Sequence, residues 1–331
     1  MAVHLAMTDL ENNFSEASDS PLPRLAVRGF SLMLDNRVVL DDLYFEVAKG
    51  EVLGILGPNG CGKSTLLKCM TGLWKPDRGT LWLDGAALDD TARKLRAVMG
   101  VVFQEPSLDN ELSAAGNLKL AGALFGLTSS ETTQRIEDLL GFMELSGRAK
   151  DKTSTFSGGM RRRLELARSL IHNPEILLLD EPTAGLDPVS VQRTWQRILA
   201  LRDFRDLSVL VTTHRAEEAA SCDRLVVMDR GHVICTETPD RLMSNVAGDV
   251  ISMNVDEPEA MLDGLKSVFG ANARIVDGEV EWERPEAHAW VPRIVESFET
   301  RIFNSITVRK PTLADAFYHL TGHGLTAEDE L

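Results

Sequence analysis

Apolar residues along this chain follow two main patterns. Short, almost continuous apolar runs occur in GEVLGIL at 50–56, EILLLD at 175–180 and LSVLVTTH at 207–214, and the last two end in polar residues. Such runs are typical of parallel strands that are buried on both faces of a sheet. Between them, from about 113 to 170, apolar residues recur at helical spacing. The two patterns together predict an α/β fold with a helical subdomain.

Strands of a second kind flank these runs. The sequence predicts antiparallel strands at 24–34 and 41–47, another strand between turn glycines at 79–85, and a hairpin at 223–236. Residues 1–23 are polar and acidic and end in Pro-Leu-Pro, which predicts a disordered tail. The first domain is therefore expected to occupy residues 24–245.

From residue 246 onward the pattern changes to a β-α-β-β-α-β order. Its segments are VISMNV, a helix near 257–269, ARIVDGEVEWE, a helix near 289–298 and SITVRK. This order is typical of a small ferredoxin-like α+β domain, which we expect at 246–322, with the helix in its last twelve residues closing it. The apolar stripes of its helices predict a core of its own. Residues 323–331 are expected to form an acidic tail.

Composition restricts the partners that the chain can have. The 331 residues carry a formal net charge of −15, which argues against nucleic-acid binding because that requires clustered positive charge. No apolar run approaches the ~20 residues needed to cross a bilayer, and the N-terminal segment does not have the pattern of a signal peptide. The four cysteines show no C-x-x-C spacing. These features predict a cytoplasmic protein with reduced thiols.

The stretch GPNGCGKST at 57–65 matches the phosphate-binding P-loop pattern G-x-x-x-x-G-K-[ST]. Its glycines let main-chain N–H groups turn toward phosphate oxygens, and the following helix directs its positive end at the anion. Lys63 is expected to reach the β- and γ-phosphates, and the Ser64 hydroxyl to bind Mg²⁺. The predicted nucleotide-binding residues are Gly57, Pro58, Asn59, Gly60, Cys61, Gly62, Lys63, Ser64 and Thr65. Cys61 is either a reactive thiol or, as we favour, a small tolerated residue.

Polar residues at the ends of other strands complete a candidate site. Asp180 ends one buried strand and Glu181 follows it, so one carboxylate can hold Mg²⁺ and the next can polarise a water. An acidic pair is weak evidence alone, but beside a P-loop it becomes strong. His214 ends another buried strand, and the alternative there is a structural histidine. The turn at 157–159 opens a helix and provides a second anion-binding N-terminus.

Over residues 24–245 these motifs resemble the ATPase subunits of ABC transporters. In that comparison Gln104 is the glutamine of the Q-loop, Ser157-Gly158-Gly159 the signature, Ala184-Gly185-Leu186-Asp187 the D-loop and His214 the switch histidine. The resemblance implies a head-to-tail dimer that encloses two ATP molecules. Ser157 and Gly159 of one subunit and the P-loop of the other would hold each nucleotide, with Gly158 and Asp187 also contributing.

Two segments indicate a particular branch of this family. Met160 in GGMRRRLELA and the segment PTLADAFYHLTG at 311–322 are similar to the daunorubicin-resistance branch of drug and lipid exporters. One position departs from the family: an aromatic residue usually stacks on adenine, but Leu34 stands near that position and Phe30 is the nearest aromatic. The arginines at 161–163 are interpreted as a solvated helix face.

The expected function is that of an ATP-hydrolysing exporter subunit at the inner face of the membrane. Lys63, Glu181 and His214 would be the catalytic residues, and Ser64, Gln104 and Asp180 would bind Mg²⁺. The expected partners are an integral-membrane permease, docked on the helical segment after Gln104, and a second ATPase subunit, identical or related. An ABC ATPase acting on nucleic acid or ribosomes is the alternative, although the single cassette and acidic charge disfavour it. A regulatory module without turnover is a further alternative, which the acidic pair disfavours.

Overall fold

The computed structural model describes residues 22–88, 91–205, 207–246, 248–298 and 302–325. Its strands are β1 (Leu25–Leu34), β2 (Arg37–Val47), β3 (Val52–Leu56), β4 (Arg78–Leu83), β5 (Ala86–Ala87), β6 (Met99–Val102), β7 (Ile176–Asp180), β8 (Ser208–Thr213), β9 (Arg224–Asp229), β10 (His232–Glu237), β11 (Asp249–Val255), β12 (Arg274–Val276), β13 (Glu279–Arg284) and β14 (Phe303–Arg309). Its helices are α1 (Lys63–Met70), α2 (Thr91–Val98), α3 (Ala114–Leu124), α4 (Ser129–Phe142), α5 (Gly158–Ser169), α6 (Pro188–Arg205), α7 (Ala216–Ala219), α8 (Pro239–Ser244), α9 (Pro258–Phe269), α10 (Ala287–Ser297) and α11 (Leu313–Thr321). Residues 1–21 and 326–331 of the two predicted tails lie outside the described residues, whereas Leu325 is buried in an apolar cluster with α11 and the central sheet.

The central sheet has the strand order β10-β9-β3-β8-β7-β6. Its strands from β9 to β6 run parallel, and β10 pairs antiparallel with β9 as the hairpin pattern predicts. Every residue of β3, β7 and β8 is buried, which explains their continuous apolar sequence. The register pairs Leu56 with Thr213 and Asp180 with Thr212, so the carboxyl ends of these strands meet at one edge. Ligands of open α/β sheets bind at such an edge.

A second sheet, with the order β2-β1-β4-β5, is antiparallel throughout. It packs against helix α1 in one apolar cluster that also includes residues of the central sheet. Leu66 and Leu67 of α1 and Leu40 and Leu43 of β2 are fully buried in this cluster. The packing therefore fixes α1 from both sides, and with it the loop that precedes α1.

Helices α3, α4 and α5 form the predicted helical segment. Thr128 and Glu131 make the predicted capping box: the Glu131 carboxylate accepts from Thr128 N at 2.9 Å, and Thr128 Oγ1 accepts from Glu131 N at 3.3 Å. Ser113 and Ser157 cap the starts of α3 and α5 with their side chains. Among the described residues, no helix is both long and apolar enough to cross a bilayer.

The strands β11 to β14 and helices α9 and α10 form what we call the accessory unit. Their sequence order is the predicted β-α-β-β-α-β order, and the sheet order is β12-β13-β11-β14 with every neighbouring pair antiparallel. Ile251, Met253, Leu265, Trp282 and Ile294 lie in an apolar cluster of this unit. The accessory unit therefore has a core of its own.

Helix α11 packs on the fold around the central sheet rather than closing the accessory unit. Leu313, Ala316 and Phe317 are buried in the same apolar cluster as side chains of β3, β7 and β8. On the opposite side of α11, the Asp315 carboxylate binds Arg274 and Arg309 of the accessory sheet. This packing differs from the predicted closing role, because the apolar stripe at i, i+3 and i+4 lies against the central fold and the charged side faces the accessory unit. The domain boundary at residue 246 stays a prediction.

Candidate nucleotide-binding site

The P-loop connects β3 to α1 at the edge where the parallel strands end. A Cβ on Gly57 would lie 2.3 Å from the Met228 carbonyl oxygen and 2.7 Å from Cys61 Sγ, so only glycine fits there. Gly60 and Gly62 have φ of 82° and 109°, in the region that favours glycine. Tight packing and these backbone angles curl the loop in front of the first turn of α1, as phosphate binding requires.

The Lys63 side chain points back into the P-loop. Its side chain is buried, and Nζ donates to the carbonyl oxygens of Gly57 and Pro58, each at 2.8 Å. The same Nζ lies 3.8 Å from Glu181 Oε1. The positive charge is therefore fixed at the centre of the loop, beside the candidate catalytic carboxylate.

The Cys61 side chain packs into the fold rather than facing solvent. It is 4% exposed and belongs to the apolar cluster around α1. Burial raises the pKa of its thiol, although the nearby Lys63 opposes the shift. A buried, protonated thiol is a poor nucleophile, which supports the interpretation of Cys61 as a small packing residue.

Ser64 and Asp180 are in direct contact. Ser64 Oγ donates to Asp180 Oδ1 at 3.1 Å, and Thr212 Oγ1 donates to the same oxygen at 2.7 Å. A hydroxyl beside a buried carboxylate fits Mg²⁺, which binds through one or two protein oxygens and the phosphates of its substrate. The described residues hold no group of three or more His, Cys, Asp or Glu arranged for a metal ion. This fits a cation whose remaining ligands would come from the nucleotide and water.

Glu181 adopts a left-handed backbone conformation with φ of 42°. Its main-chain N donates to the carbonyl oxygen of Thr212 at 3.2 Å and to Thr212 Oγ1 at 3.0 Å. Its carboxylate oxygen Oε1 lies 3.1 Å from His214 Nδ1. Positive φ is strained for a glutamate, so these contacts are what hold the carboxylate between Lys63 and His214.

One cleft of about 920 Å³ joins these elements. Its walls include most predicted site residues of the sheet edge: Asn59, Gly60, Gly62, Lys63, Ser64, Thr65, Gln104, Glu181 and His214. Gly57, Pro58 and Cys61 form the base of the loop, and Asp180 reaches the site through Ser64. The cleft also has a wall from the accessory unit and α11, including Arg274, Arg309 and Tyr318. Sequence reasoning did not anticipate this second wall.

Comparison with known proteins identifies the family. The family model described as ABC transporter matches residues 40–184. The Nod factor export ATP-binding protein I of Cupriavidus metallidurans is 40% identical over 243 residues, covering 73% of this chain and 80% of the relative. This chain belongs to the ATP-binding subunits of ABC transporters. The protein of the same name from Ralstonia nicotianae is 36% identical over 308 residues, covering 91% and 94% of the two chains.

Solved structures agree with the family. The cbiO1 subunit of Clostridium perfringens, part of the ABC transporter complex cbiONQ, superposes with a TM-score of 0.63 at 25% identity, covering 75% of this chain and 96% of that one. An ATP-binding cassette solved as a dimer in a post-hydrolysis state with ADP and Pi gives a TM-score of 0.59 at 29% identity, covering 65% and 98%. The predictions of an ABC ATPase fold, of ATP as ligand and of an exporter subunit are confirmed, and the nucleic-acid alternative is not favoured.

In this ABC ATPase the signature turn lies outside the cleft of its own chain. Ser157 is exposed, and its hydroxyl accepts from Met160 N at 3.3 Å. A Cβ on Gly159 would lie 3.1 Å from Ser190 Oγ. Ser190 in turn donates to Asp187 through its main-chain N at 3.0 Å and its hydroxyl at 2.6 Å, and these hydrogen bonds lower the pKa of Asp187. Residues 157–159 and Asp187 therefore form one surface outside the cleft of their own chain.

Neither Phe30 nor Leu34, the two positions considered for an adenine contact, lines the cleft. Phe30 is fully buried in the core, and Leu34 packs at the edge of that core. Val39 is the residue of this part of the chain that lines the cleft, and Tyr318 of α11 is an aromatic in its wall. No local pattern in the sequence signals Tyr318, because α11 reaches the cleft only through the tertiary fold.

The arginines at 161–163 do not all face solvent. Arg163 is half-buried and donates to the Met143 carbonyl oxygen at 3.0 Å. Arg162 is 7% exposed and binds the loop that carries Glu181. The interpretation of this run as a solvated face is therefore wrong for Arg162.

Proposed function

We propose that this chain hydrolyses ATP with Mg²⁺ at a site completed by a second ATPase subunit, and that the reaction drives export through a separate permease. The observation that carries the proposal is the position of Glu181. Its carboxylate lies 3.1 Å from His214 Nδ1 and 3.8 Å from Lys63 Nζ, at the mouth of a P-loop and on a strained backbone.

The chemical roles follow from what each group can do. Glu181 accepts the proton of the attacking water, since a carboxylate held beside the γ-phosphate position is a suitable general base. Lys63 and the main-chain N–H groups of the P-loop bind the phosphates, and His214 orients Glu181 and contacts the γ-phosphate. Ser64 and Asp180, with Gln104 on the cleft wall, would hold Mg²⁺, which would neutralise charge on the phosphates.

The exposed signature surface supports a dimeric site. Ser157, Gly158, Gly159 and Asp187 do not line the cleft of their own chain, so they are free to close the cleft of a second subunit. The N-terminal end of α5 would direct its partial positive charge at the phosphates of that subunit's ATP. One of the similar cassettes was solved as a dimer with ADP and Pi, which supports a dimeric state.

Export requires a membrane partner, and the helical segment offers a surface for it. Leu120, Leu124, Phe125 and Phe142, on or beside α3 and α4, are exposed apolar side chains. Such side chains are common where protein surfaces meet. We propose that the permease docks on this segment at the cytoplasmic face of the membrane. The relatives are named for Nod factor export, and we propose that this chain powers the export of a drug, a lipid or another small molecule.

Replacement of Glu181 tests the chemistry. Glu181→Gln keeps the side-chain shape but removes its basicity, so ATP affinity should be retained while turnover falls at least about 100-fold. The ATP-bound dimer should then accumulate, which size-exclusion chromatography detects. Glu217→Gln is the matched control, because this exposed carboxylate lies in the same cleft and, among the described residues, the hydrogen bonds of Lys63 and His214 go elsewhere. Near-normal phosphate release from Glu181→Gln would remove this residue from the chemistry.

A further inference from the structure

Arg162 is a buried arginine in an unusual place. It lies in the second turn of α5, five residues after the signature serine, and only 9% of its side chain is exposed. Burial of a guanidinium is costly unless its charge is paired and its N–H groups are all bonded. Such an arginine therefore needs a charged partner and acceptors for all of its N–H groups.

All five N–H groups of the Arg162 guanidinium have partners. Nε donates to the Pro182 carbonyl oxygen at 2.7 Å, and Nη2 donates to the carbonyl oxygens of Asp180 at 2.9 Å and Glu181 at 3.1 Å. Nη1 donates to the Phe103 carbonyl oxygen at 2.7 Å and to Glu165 Oε2 at 3.0 Å. Only an arginine can make this set of bonds, because five donors in a rigid fork reach two separate loops.

These bonds act on the conformation of Glu181. Its main-chain N is held by Thr212, and its main-chain carbonyl oxygen is held by Arg162. The left-handed backbone of Glu181 persists only where surrounding contacts fix both of its ends. Without the guanidinium, the carbonyl groups of residues 180–182 would lose their shared partner, and the backbone of Glu181 could relax toward the ordinary region.

The same guanidinium also fixes the start of the Q-loop. Phe103, whose carbonyl oxygen it binds, directly precedes Gln104, and Glu165 accepts from Ser107 N at 2.9 Å. Helix α5 is thereby attached at one point to the segment that carries Gln104 and to the segment that carries Glu181. The helix also begins with the signature turn, so the positions of these three segments are fixed relative to one another.

We propose that Arg162 is a positioning residue for hydrolysis: it holds the Glu181 carboxylate in its working place by binding the carbonyl groups of residues 180–182. This inference rests on the proposed role of Glu181 as general base. Arg162 touches neither water nor phosphate in this account. A mutation that displaces a catalytic group by a small distance can lower the reaction rate by about 10–100-fold, and we expect an effect of this size.

The test compares Arg162→Met with Arg135→Met by single-turnover phosphate release and by calorimetric ATP binding. Methionine approximates the length of the arginine stem without donors. Arg135 is the control because it also donates to a main-chain carbonyl oxygen, that of Ile171 at 2.7 Å, but away from the Glu181 loop. Arg162→Met should lower the rate about 10–100-fold with ATP affinity within about threefold, whereas Arg135→Met should stay within about twofold in both.

A second arm separates positioning from a general structural role. In the Glu181→Gln background, Arg162→Met should change the remaining rate by less than about twofold, because residues that act through one group are not additive. An equal loss in both backgrounds would overturn the inference, and so would an unchanged rate for Arg162→Met alone. If Glu181→Gln itself turns over normally, the proposed general base fails, and the first arm still reports whether Arg162 matters. Should Arg162→Met not fold, Arg162→Lys carries the same comparisons with the charge retained.

Discussion

Replacement of Phe317 by alanine would test whether α11 is part of the ATPase core. Phe317 is 1% exposed and lies in the apolar cluster of the central sheet, although it follows the accessory unit in the chain. Truncation of a buried phenylalanine removes its transfer free energy and leaves a cavity, and typically costs about 3–5 kcal/mol. For a cooperative unit of about 150–250 residues, this corresponds to a fall in melting temperature of roughly 6–20 °C.

The assay is thermal unfolding with and without ATP. ATP stabilises the unit that binds it by mass action, so the ATP-sensitive transition reports on the ATPase core. Phe317→Ala should lower that transition. Leu320→Ala is the control on the same helix, because Leu320 is 38% exposed and its removal leaves no comparable cavity. The reasoning is refuted if Phe317→Ala shifts only an ATP-insensitive transition, or lowers the free energy of unfolding by less than about 1 kcal/mol.

Three further results are expected. Lys63→Ala should weaken ATP binding in calorimetry, since it deletes the charge at the centre of the P-loop, and unchanged affinity would mean that the loop is not used as described. Ser157→Arg should leave ATP binding to a single subunit intact but abolish ATP-driven dimerisation and turnover. A mixture of this variant with Lys63→Ala should regain activity, because in a mixed dimer both lesions fall in the same site and the other site is intact. A mixture no more active than either variant alone would count against a shared site. Burial opposes the charged form of Asp315, but hydrogen bonds from Arg309 and Thr312 outweigh it and lower its pKa. Its contribution to stability is therefore present above the ordinary carboxyl range and lost as pH falls below about 4, so Asp315→Asn should flatten the acid side of the stability profile measured by urea unfolding.

The sequence was most informative where function depends on neighbouring residues. The P-loop, the Asp180-Glu181 pair and the Thr128 capping box are each continuous in the chain, so the spacing of neighbouring residues is enough to recognise them. Gln104 and His214 also lie on the cleft, because strand ends of a parallel sheet share one edge. None of these features requires a prediction of individual side-chain contacts between distant segments.

Arg162 and Tyr318 show what local reasoning cannot reach. A run of three arginines on a helix is usually solvated, and the burial of Arg162 depends on four main-chain carbonyl groups 18 or more residues away and on Glu165 of its own helix. Tyr318 reaches the cleft only because α11 docks beside α7 and α8. The predicted boundary suggests a chain that ends at Asn245 as a test of whether there are two domains. Such a chain would also lose α11, which packs on the ATPase core.

The position of α11 has a consequence for synthesis of the chain. Helix α8 ends at Ser244 and α11 begins at Leu313, so a ribosome makes the whole accessory unit in between. At typical elongation rates this takes on the order of 3–14 s. During that interval the groove that receives Leu313, Ala316 and Phe317 has no helix to cover it. Emergence of the last helix, rather than of the last catalytic motif, thus determines when a nascent chain can bury its apolar surface and escape aggregation or capture by chaperones.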